Sequence, residues 1–261
     1  MTMFLLPPSE TKNDATGKSK LNLKTLRYPQ LTSQRNQLIE ALVDLCEISP
    51  ARARTTLGLS QKQDFERIRN TKLKSSPTAP AWKIYSGVLY DALNPEALSA
   101  AAIKKLTKNV FVQSALFGLI SLGDSIPAYR LSADSKLPKI GSVSNVWAKP
   151  CAEIFLNSND LIVDLRSSQY VNLAPIPKSI SEQVVVPKIL QRMPSGPPKV
   201  VSHHNKATKG RIIRQIAVSS KVPTTLDAFA KIVSKLDADI DVVKPKRAGQ
   251  PTVLNVIVAA L

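Results

Sequence analysis

The chain has 261 residues, of which 43% are hydrophobic, and this composition excludes an intrinsically disordered protein. Its 36 basic side chains outnumber its 19 acidic ones, and the resulting formal net charge of +17 favours a polyanionic partner. The apolar run at residues 3–6 is too short for a signal peptide or a membrane anchor. We therefore expect a cytoplasmic protein with no membrane partner.

The first half of the chain predicts one short strand, several helices and one long strand. The apolar residues 3–6 predict a buried strand. Ser33 is a suitable cap for a helix over residues 33–47. Further helices are expected over residues 50–57, 60–70, 82–92 and 96–107. The apolar and β-branched residues 110–122 predict a single buried strand.

The second half of the chain predicts strands that alternate irregularly with helices. Helices are expected over residues 145–156, 208–218 and 225–236, the first of them interrupted at Pro150. Strands are expected over residues 161–165, 184–190, 200–203, 240–243 and 253–260. This order predicts a mixed α/β (α+β) fold, with a mixed central sheet flanked by helices. No linker divides the chain, so residues 1–261 are expected to form a single domain.

Residues 183–226 form a basic segment, 44 residues long, that contains no carboxylate. Its eight basic side chains are Lys188, Arg192, Lys199, Lys206, Lys209, Arg211, Arg214 and Lys221. A segment of one sign creates a positive field that attracts phosphates. The segment has no aromatic residue of the kind on which single-stranded bases stack. We therefore predict contacts to the phosphates of duplex DNA, without sequence preference.

A second candidate for DNA contact is the helix-hairpin-helix-like segment at residues 49–70. Its two predicted helices meet at a tight turn around Gly58, where backbone N–H groups would face a phosphate. Arg52, Arg54 and Lys62 flank this turn. The alternative is an ordinary helical hairpin, in which Gly58 only ends the first helix in the left-handed conformation.

Three polar segments follow predicted strands: residues 7–12, 166–170 and 203–210. Ligands gather beyond the carboxyl ends of strands in open sheets, and hydroxyls next to a cation suit a phosphate or carboxylate. The predicted anion pocket consists of Ser9, Thr11, Lys12, Arg130, Arg166, Ser168, Tyr170 and Lys206. The alternative is that the hydroxyls cap helices and the cations are solvated. Arg130 would then pair with Asp124 or Asp164.

The sequence provides no recognisable redox or metal chemistry. Cys46 and Cys151 lie in apolar contexts and are expected to be buried structural thiols. The adjacent His203 and His204 have no partner at a metal-ligand spacing, and no nucleophile elbow or phosphate-binding glycine loop occurs. We therefore assign no cofactor, no metal and no catalytic residue, and an enzymatic activity stays open.

Several blocks, taken in chain order, carry a resemblance to a known family. They are FLLPPSETK from residue 4, IYSGVLYDAL from 84, VQSALFGLISLGDSIPAYRLS from 112, DLRSSQY from 164 and HHNKATKGRIIRQ from 203. This arrangement resembles the bacterial YaaA family of peroxide stress proteins. The resemblance implies a single-domain mixed α/β fold, a cytosolic location, DNA binding and a role in limiting iron-linked oxidative damage under hydroperoxide stress. It attaches no firm catalytic activity.

The positions that resemble the family are Pro8, Thr11, Tyr85, Gly87, Tyr90, Gly118, Tyr129, Arg130, Leu131, Trp147, Ser168, Tyr170, Lys206, Gly210 and Arg214. The chain departs from the family at Ser132, where many members are acidic, and at His203 and His204, which replace an aromatic residue. Past residue 220 the likeness is loose.

Two functional hypotheses follow from the sequence. The first is a cytosolic stress protein that binds duplex DNA and needs no cofactor. The second is an enzyme that acts on a phosphorylated small molecule or nucleotide in the anion pocket. A basic assembly partner of an acidic molecule is a third, structural alternative.

Overall fold

The computed structural model describes residues 2–200 and 202–259, and at residues 202–204 the backbone alone. Its strands are β1 (Thr2–Leu6), β2 (Ala79–Pro80), β3 (Val110–Ser114), β4 (Gly118–Ser121), β5 (Ser125–Ile126), β6 (Lys136–Leu137), β7 (Gly141–Ser142), β8 (Leu161–Asp164), β9 (Val184–Gln191), β10 (Ala238–Val243) and β11 (Thr252–Val258). Its α-helices are α1 (Thr32–Ile48), α2 (Pro50–Leu57), α3 (Asp64–Thr71), α4 (Ala81–Ile84), α5 (Val88–Leu93), α6 (Ala100–Asn109), α7 (Val143–Leu156), α8 (Ser168–Leu173), α9 (Ser202–Val218) and α10 (Leu226–Val233).

The centre of the protein is a seven-stranded sheet in the order β10-β11-β9-β8-β1-β3-β4. The five inner strands run parallel, and the edge strands β10 and β4 are antiparallel to their neighbours. The predicted mixed sheet flanked by helices is therefore confirmed. Because the parallel strands share one direction, their carboxyl ends meet at one edge of the sheet, where the connecting loops converge.

Strand β1 is a fully buried inner strand of the central sheet. All five of its residues are buried, and Phe4 pairs with Val163 of β8 on one side and Val110 of β3 on the other. Apolar side chains on both faces are typical of a strand that is covered by helices on both sides. The apolar run near the start of the sequence therefore forms an inner strand of the central sheet.

The prediction of one strand over residues 110–122 is wrong, because this segment folds back as the hairpin β3–β4. Ser114 Oγ accepts the backbone N–H groups of Leu116 and Phe117 and closes the turn. Gly118 follows with a φ of 66°, and a Cβ there would lie 2.6 Å from the Trp147 ring. The turn escaped prediction because its residues are apolar and buried, unlike ordinary turn residues.

Strand β4 forms one edge of the sheet, and a buried arginine covers it. Arg35 of α1 is fully buried and donates to the carbonyl oxygens of Phe117 and Leu119, at 2.9 and 3.1 Å. Its guanidinium also donates to the carbonyl oxygens of Arg27 and Tyr28. Burial lowers the pKa of Arg35 to about 10. The carbonyl oxygens that an edge strand would present to solvent are thereby used inside the protein.

The predicted strand over residues 200–203 is also wrong. Val201 lies outside the described residues, and from Ser202 the backbone is already helical. Helix α9 buries Ile212, Ile213 and Ile216 at helical spacing, and this packing extends the helix further than local propensity suggests. The polar segment 203–210 is therefore the start of a helix and not a loop.

Other boundaries differ in smaller ways. Helix α1 begins at Thr32, so Ser33 lies inside the helix and does not cap it. The predicted helix over residues 82–92 is split into α4 and α5, because Gly87 adopts a φ of 92° between them. Helix α7 continues through Pro150. No described helix is long and apolar enough to cross a membrane.

Helix α9 lies very close to α5 at Gly210. A Cβ at this position would lie 2.1 Å from the Leu89 carbonyl oxygen. An exposed helical Gly→Ala change normally stabilises by about 1 kcal/mol. We expect Gly210→Ala to destabilise by about 2–4 kcal/mol, measured by urea unfolding, because the helices must move apart. Arg211→Ala, at the exposed neighbouring position, should change the free energy of unfolding by no more than about 0.5 kcal/mol. A Gly210→Ala protein that is more stable than wild type would contradict the close contact between the two helices.

Candidate functional site

A cavity of about 790 Å³ opens at the edge of the sheet where the parallel strands end. Its walls come from the loop after β1, the segment before and within α5, the loop after β8, strand β9 and the start of α9. The structure brings all eight residues of the predicted anion pocket to this one cavity: Ser9, Thr11, Lys12, Arg130, Arg166, Ser168, Tyr170 and Lys206. That they bind an anion stays a prediction.

The cavity exists because β9 is longer than its neighbour β8. The pairing between them ends at Val163 and Val185, whereas β9 continues to Gln191 and leaves one side open. Gln191 donates its N–H to that open side, towards the Lys199 carbonyl oxygen. Alternate residues of a strand face opposite neighbours, so the nitrogen of Pro187 also faces the open side. Proline is tolerated here because no ladder hydrogen bond is lost.

Lys12 is a buried cation of the cavity wall, with 6% of its surface exposed. Its Nζ donates to the carbonyl oxygens of Ser9 and Glu10, at 2.8 and 3.3 Å, and lies 4.3 Å from the centre of the Tyr129 ring. Burial, followed by the positive charge of Arg130, lowers the pKa of Lys12 to about 7. A large fraction of this amine is therefore neutral at physiological pH.

Arg130 lies beside Lys12 without a strong partner. Its backbone is held at both ends by the Asn70 side-chain amide, at 2.9 and 2.8 Å. Its Nε is buried and has no hydrogen-bond partner among the described residues. Its nearest carboxylate is that of Glu10, at 3.6 Å, whose side chain is 83% exposed. The expected partners were wrong: Asp124 accepts backbone N–H groups, and Asp164 binds another arginine.

That other arginine is Arg166, and its role differs from the predicted one. Its Nε and Nη2 form a bidentate pair with Asp164, at 2.8 and 2.7 Å. Its Nη1 donates to the carbonyl oxygens of Tyr170 and Ala174. The side chain is fully buried, so Arg166 stabilises the loop and α8 and has little capacity left for a ligand.

The predicted hydroxyl groups divide into two kinds. Ser9 Oγ donates to the Thr11 carbonyl oxygen at 2.5 Å and accepts the Ser86 N–H at 3.1 Å, so it stabilises the loop. Thr11 and Ser168 are exposed at the cavity. Tyr170 is partly buried, which raises the pKa of its hydroxyl and keeps it a neutral donor.

Sequence analysis missed a layer of hydroxyl groups beneath Lys12. The hydroxyls of Tyr85 and Tyr129 lie 3.1 Å apart, and Tyr129 also bonds Ser114 Oγ at 2.7 Å. Burial raises the pKa of both tyrosines well above the ordinary value. Both tyrosines were among the family-like positions, but nothing in their spacing showed that their hydroxyls meet.

Helix α9 lines the cavity with three polar side chains. Lys206 is exposed, whereas Lys209 is partly buried and donates to the Arg166 carbonyl oxygen at 3.2 Å. Burial lowers the pKa of Lys209. Asn205, which sequence analysis did not select, has a buried Oδ1 with no partner among the described residues. Helix and loop thus place cations on opposite sides of one cavity.

Comparison with known proteins identifies the family of this chain. Residues 2–233 match the family described as peroxide stress protein YaaA. The chain belongs to this family. It is 34% identical over 258 residues to a UPF0246 protein of Streptomyces coelicolor, with 98% of each chain covered. It is 40% identical over 234 residues to a UPF0246 protein of Corynebacterium efficiens, which covers 88% of this chain and 91% of the relative.

Family membership confirms the resemblance seen in the sequence and indicates a role in peroxide stress. Strands β10 and β11 lie beyond the matched residues, where the likeness was expected to be loose. The alignment with the Streptomyces protein nevertheless covers almost the whole chain, so these strands have counterparts in that relative.

The basic residues of the segment 183–226 have different environments. Arg192 forms an ion pair with Asp239, and Arg214 donates to the carbonyl oxygens of Leu93 and Asn94 at the end of α5. Five others are exposed: Lys188, Lys199, Lys206, Arg211 and Lys221. The partly buried Lys209 donates to the Arg166 carbonyl oxygen. Arg192, Lys209 and Arg214, three of the eight basic residues of this segment, therefore have a partner within the protein.

The hairpin of α2 and α3 does not offer its turn to a phosphate. Gly58 has a φ of 62° and donates its N–H to carbonyl oxygens of α2, and Leu59 donates to Arg54. The Ser60 N–H donates to the Gln63 side chain. Arg54 pairs with Asp64 at 3.2 Å, while Arg52 and Lys62 are exposed. The structure therefore agrees with the alternative, in which Gly58 ends a helix.

The two thiols are buried, and neither is among the residues that line the cavity. Burial raises the pKa of Cys46 and of Cys151 to about 11, so both are protonated at neutral pH. The described residues contain no cluster of three or more potential metal ligands. The side chains of His203 and His204 lie outside the description.

The lowered pKa of Lys12 predicts a pH dependence of stability. Between about pH 7 and 10.5 the unfolded chain holds a proton on Lys12 that the folded protein has lost. The contribution of Lys12 to the free energy of unfolding should therefore rise with pH in this window, by at most roughly 1.4 kcal/mol per pH unit. Lys12→Met should lose this component in urea unfolding at about pH 6.5, 7.5 and 8.5. Lys74→Met, a change at an exposed lysine, should keep the wild-type slope of the free energy of unfolding against pH. If Lys12→Met also keeps the wild-type slope, the lowered pKa of Lys12 is contradicted.

Proposed function

We propose that this peroxide stress protein acts by binding a phosphorylated small molecule or a nucleotide in the cavity at the carboxyl edge of its sheet. The observation that carries the proposal is the Arg130 guanidinium, whose buried Nε has no partner among the described residues. A buried arginine donor left unpaired is costly, and an anion with two oxygens in one plane is the partner that matches its geometry.

The surroundings of Arg130 support an anionic ligand. Its side chain is 15% exposed, which leaves it accessible from the cavity but mostly removed from water. Lys12 and Lys206 line the same cavity. Glu10 is the only carboxylate within ion-pair distance of Arg130 among the described residues, and its exposed side chain moves into solvent at little cost. A phosphate would replace this weak pair with a bidentate one.

The size of the cavity also suits a small molecule. Ligand pockets in proteins usually measure about 300–1,000 Å³, and this one measures about 790 Å³. The apolar residues Leu131, Val186 and Ile189 lie on its wall and offer contact to an uncharged part of the ligand. Hydroxyls of Thr11 and Ser168 are available as further donors. A nucleotide or a phosphorylated metabolite matches this combination of cations, hydroxyls and apolar surface.

Replacement of Arg130 tests the anion site. We expect wild-type protein to bind inorganic phosphate or AMP in isothermal titration calorimetry, and Arg130→Lys to weaken binding by at least about tenfold. Lysine keeps the charge but cannot form two parallel hydrogen bonds to one phosphate. Arg211→Lys, the same change on the exposed face of α9, should bind as wild type does. Equal affinities for all three proteins would refute a site at Arg130.

A second candidate function is nonspecific binding to duplex DNA in the cytosol, which would shield DNA from iron-linked oxidative damage. The observation that favours it is the net charge of +17 together with the five exposed cations of the basic segment. None of these five forms an ion pair within the part of the chain that the structure describes. Such side chains can contact phosphates without breaking an ion pair within the protein.

A salt series measures the DNA interaction separately from the cavity. If about four to six phosphates are contacted, the logarithm of the affinity for duplex DNA should fall against log salt with a slope of about −4 to −5. The combined change of Lys199, Arg211 and Lys221 to alanine removes exposed cations outside the cavity wall and should flatten the slope by about 2–3 units. Arg130→Lys should leave it unchanged. If the triple variant keeps the wild-type slope of log affinity against log salt, the exposed cations of the basic segment do not contact the DNA.

A further inference from the structure

We propose that Lys12 is a carbonyl-reactive amine, which forms an imine with a phosphorylated aldehyde or ketone bound in the cavity. The inference deepens the proposed function and rests on it, because the anion site at Arg130 would hold the phosphate of the same molecule. Three features of the structure carry it: the hydrogen bonds of Lys12, its position in the cavity and its lack of an ion pair among the described residues.

The two hydrogen bonds of Lys12 can be made by a neutral amine as well as by an ammonium. A neutral amine has two N–H donors, and the carbonyl oxygens of Ser9 and Glu10 accept two hydrogen bonds from Nζ. The nitrogen lone pair is then left for a reaction with a carbonyl carbon. Lys12 forms no ion pair with a carboxylate within the described residues, whereas a buried structural lysine normally needs one.

The electrostatics favour the same state. Burial, Arg130 and Arg69 lower the pKa of Lys12 to about 7 against the opposing effect of Glu66 and Glu10, so a far larger fraction of Lys12 than of an ordinary lysine carries a reactive lone pair at neutral pH. Desolvation next to a second cation is a known way to activate a lysine as a nucleophile. Arg130 is that second cation, and in the free protein its charge adds to the effect of burial on Lys12.

The cavity supplies the remaining requirements for the reaction. Lys12 and Arg130 line the same space, so a small carbonyl compound with a phosphate can contact both. Nζ attacks the carbonyl carbon, the C–N bond forms, and the carbonyl oxygen leaves as water with the two protons of the amine. No oxidant, reductant or metal is needed. The resulting imine is the usual starting point for breaking or moving a bond next to the former carbonyl.

Reductive trapping tests the proposal on the unmodified protein. Wild-type protein is incubated with glyceraldehyde 3-phosphate and sodium cyanoborohydride near pH 7, and the modified lysines are mapped by peptide mass spectrometry. We expect Lys12 to be modified at least about tenfold faster than the exposed Lys74, and the Lys12 rate to rise with a midpoint near pH 7. Modification spread over exposed lysines, with Lys12 protected, would overturn the proposal.

Two further arms separate this proposal from the anion site itself. Glyceraldehyde, which lacks the phosphate, should modify Lys12 at least about tenfold more slowly, and inorganic phosphate should compete with glyceraldehyde 3-phosphate. If phosphate binds in calorimetry but Lys12 is not modified, the imine is refuted and the anion site stands. If both aldehydes modify Lys12 equally, the amine is reactive but the phosphate site at Arg130 is refuted.

Lys12→Arg provides a control that keeps the charge. An arginine forms no imine under these conditions, so modification of the corresponding peptide should disappear. A Lys12 whose role is only to hold the loop after β1 would give a different result: wild-type protein would show no preferred modification at this residue, whatever the behaviour of the variant.

Discussion

The cavity depends on one buried ion pair, which joins Asp164 at the end of β8 to Arg166 two residues later. Two parallel hydrogen bonds join the pair, and the same guanidinium also donates to the carbonyl oxygens of Tyr170 within α8 and of Ala174 directly after it. The Arg166 carbonyl oxygen in turn accepts Lys209 of α9. Removal of either charge would leave the other buried and unpaired, at a cost of about 3–5 kcal/mol. Strand, loop and both helices therefore take their relative positions from this pair.

The opposite wall of the cavity has a different physical basis. Here the loop after β1 folds over the hydroxyls of Tyr85 and Tyr129, and the Lys12 side chain fills the space between loop and rings. Its stability comes from neutral hydrogen bonds and ring contacts. One wall is thus fixed by paired charges, while the other keeps Lys12 and Arg130 without a strong counter-charge. This asymmetry is what makes the second wall a candidate for binding an anion.

The sequence revealed the parts of the fold that local pattern determines. The apolar run of β1 and the meeting of the loops after β1 and β8, which carry Lys12 and Arg166, could be predicted, because parallel strands bring their carboxyl ends together. The hairpin β3–β4 could not, because its turn is stabilised by Ser114 and its contact with Trp147, both of which depend on tertiary packing. The pairing of Arg166 with Asp164 was missed for a similar reason: spacing alone did not distinguish a ligand contact from an internal partner.

The two edges of the sheet have a consequence for association between copies of the chain. An exposed edge strand offers free N–H and C=O groups as a template for a strand of another molecule. Here the guanidinium of Arg35 binds the carbonyl oxygens of Leu119 in β4 and of Phe117 just before it, and β10 carries the carboxylates of Asp239, paired with Arg192, and Asp241. Addition of a foreign strand would have to displace a buried arginine at one edge or approach these charges at the other. The fold thereby resists the addition of a foreign strand at either edge of its central sheet.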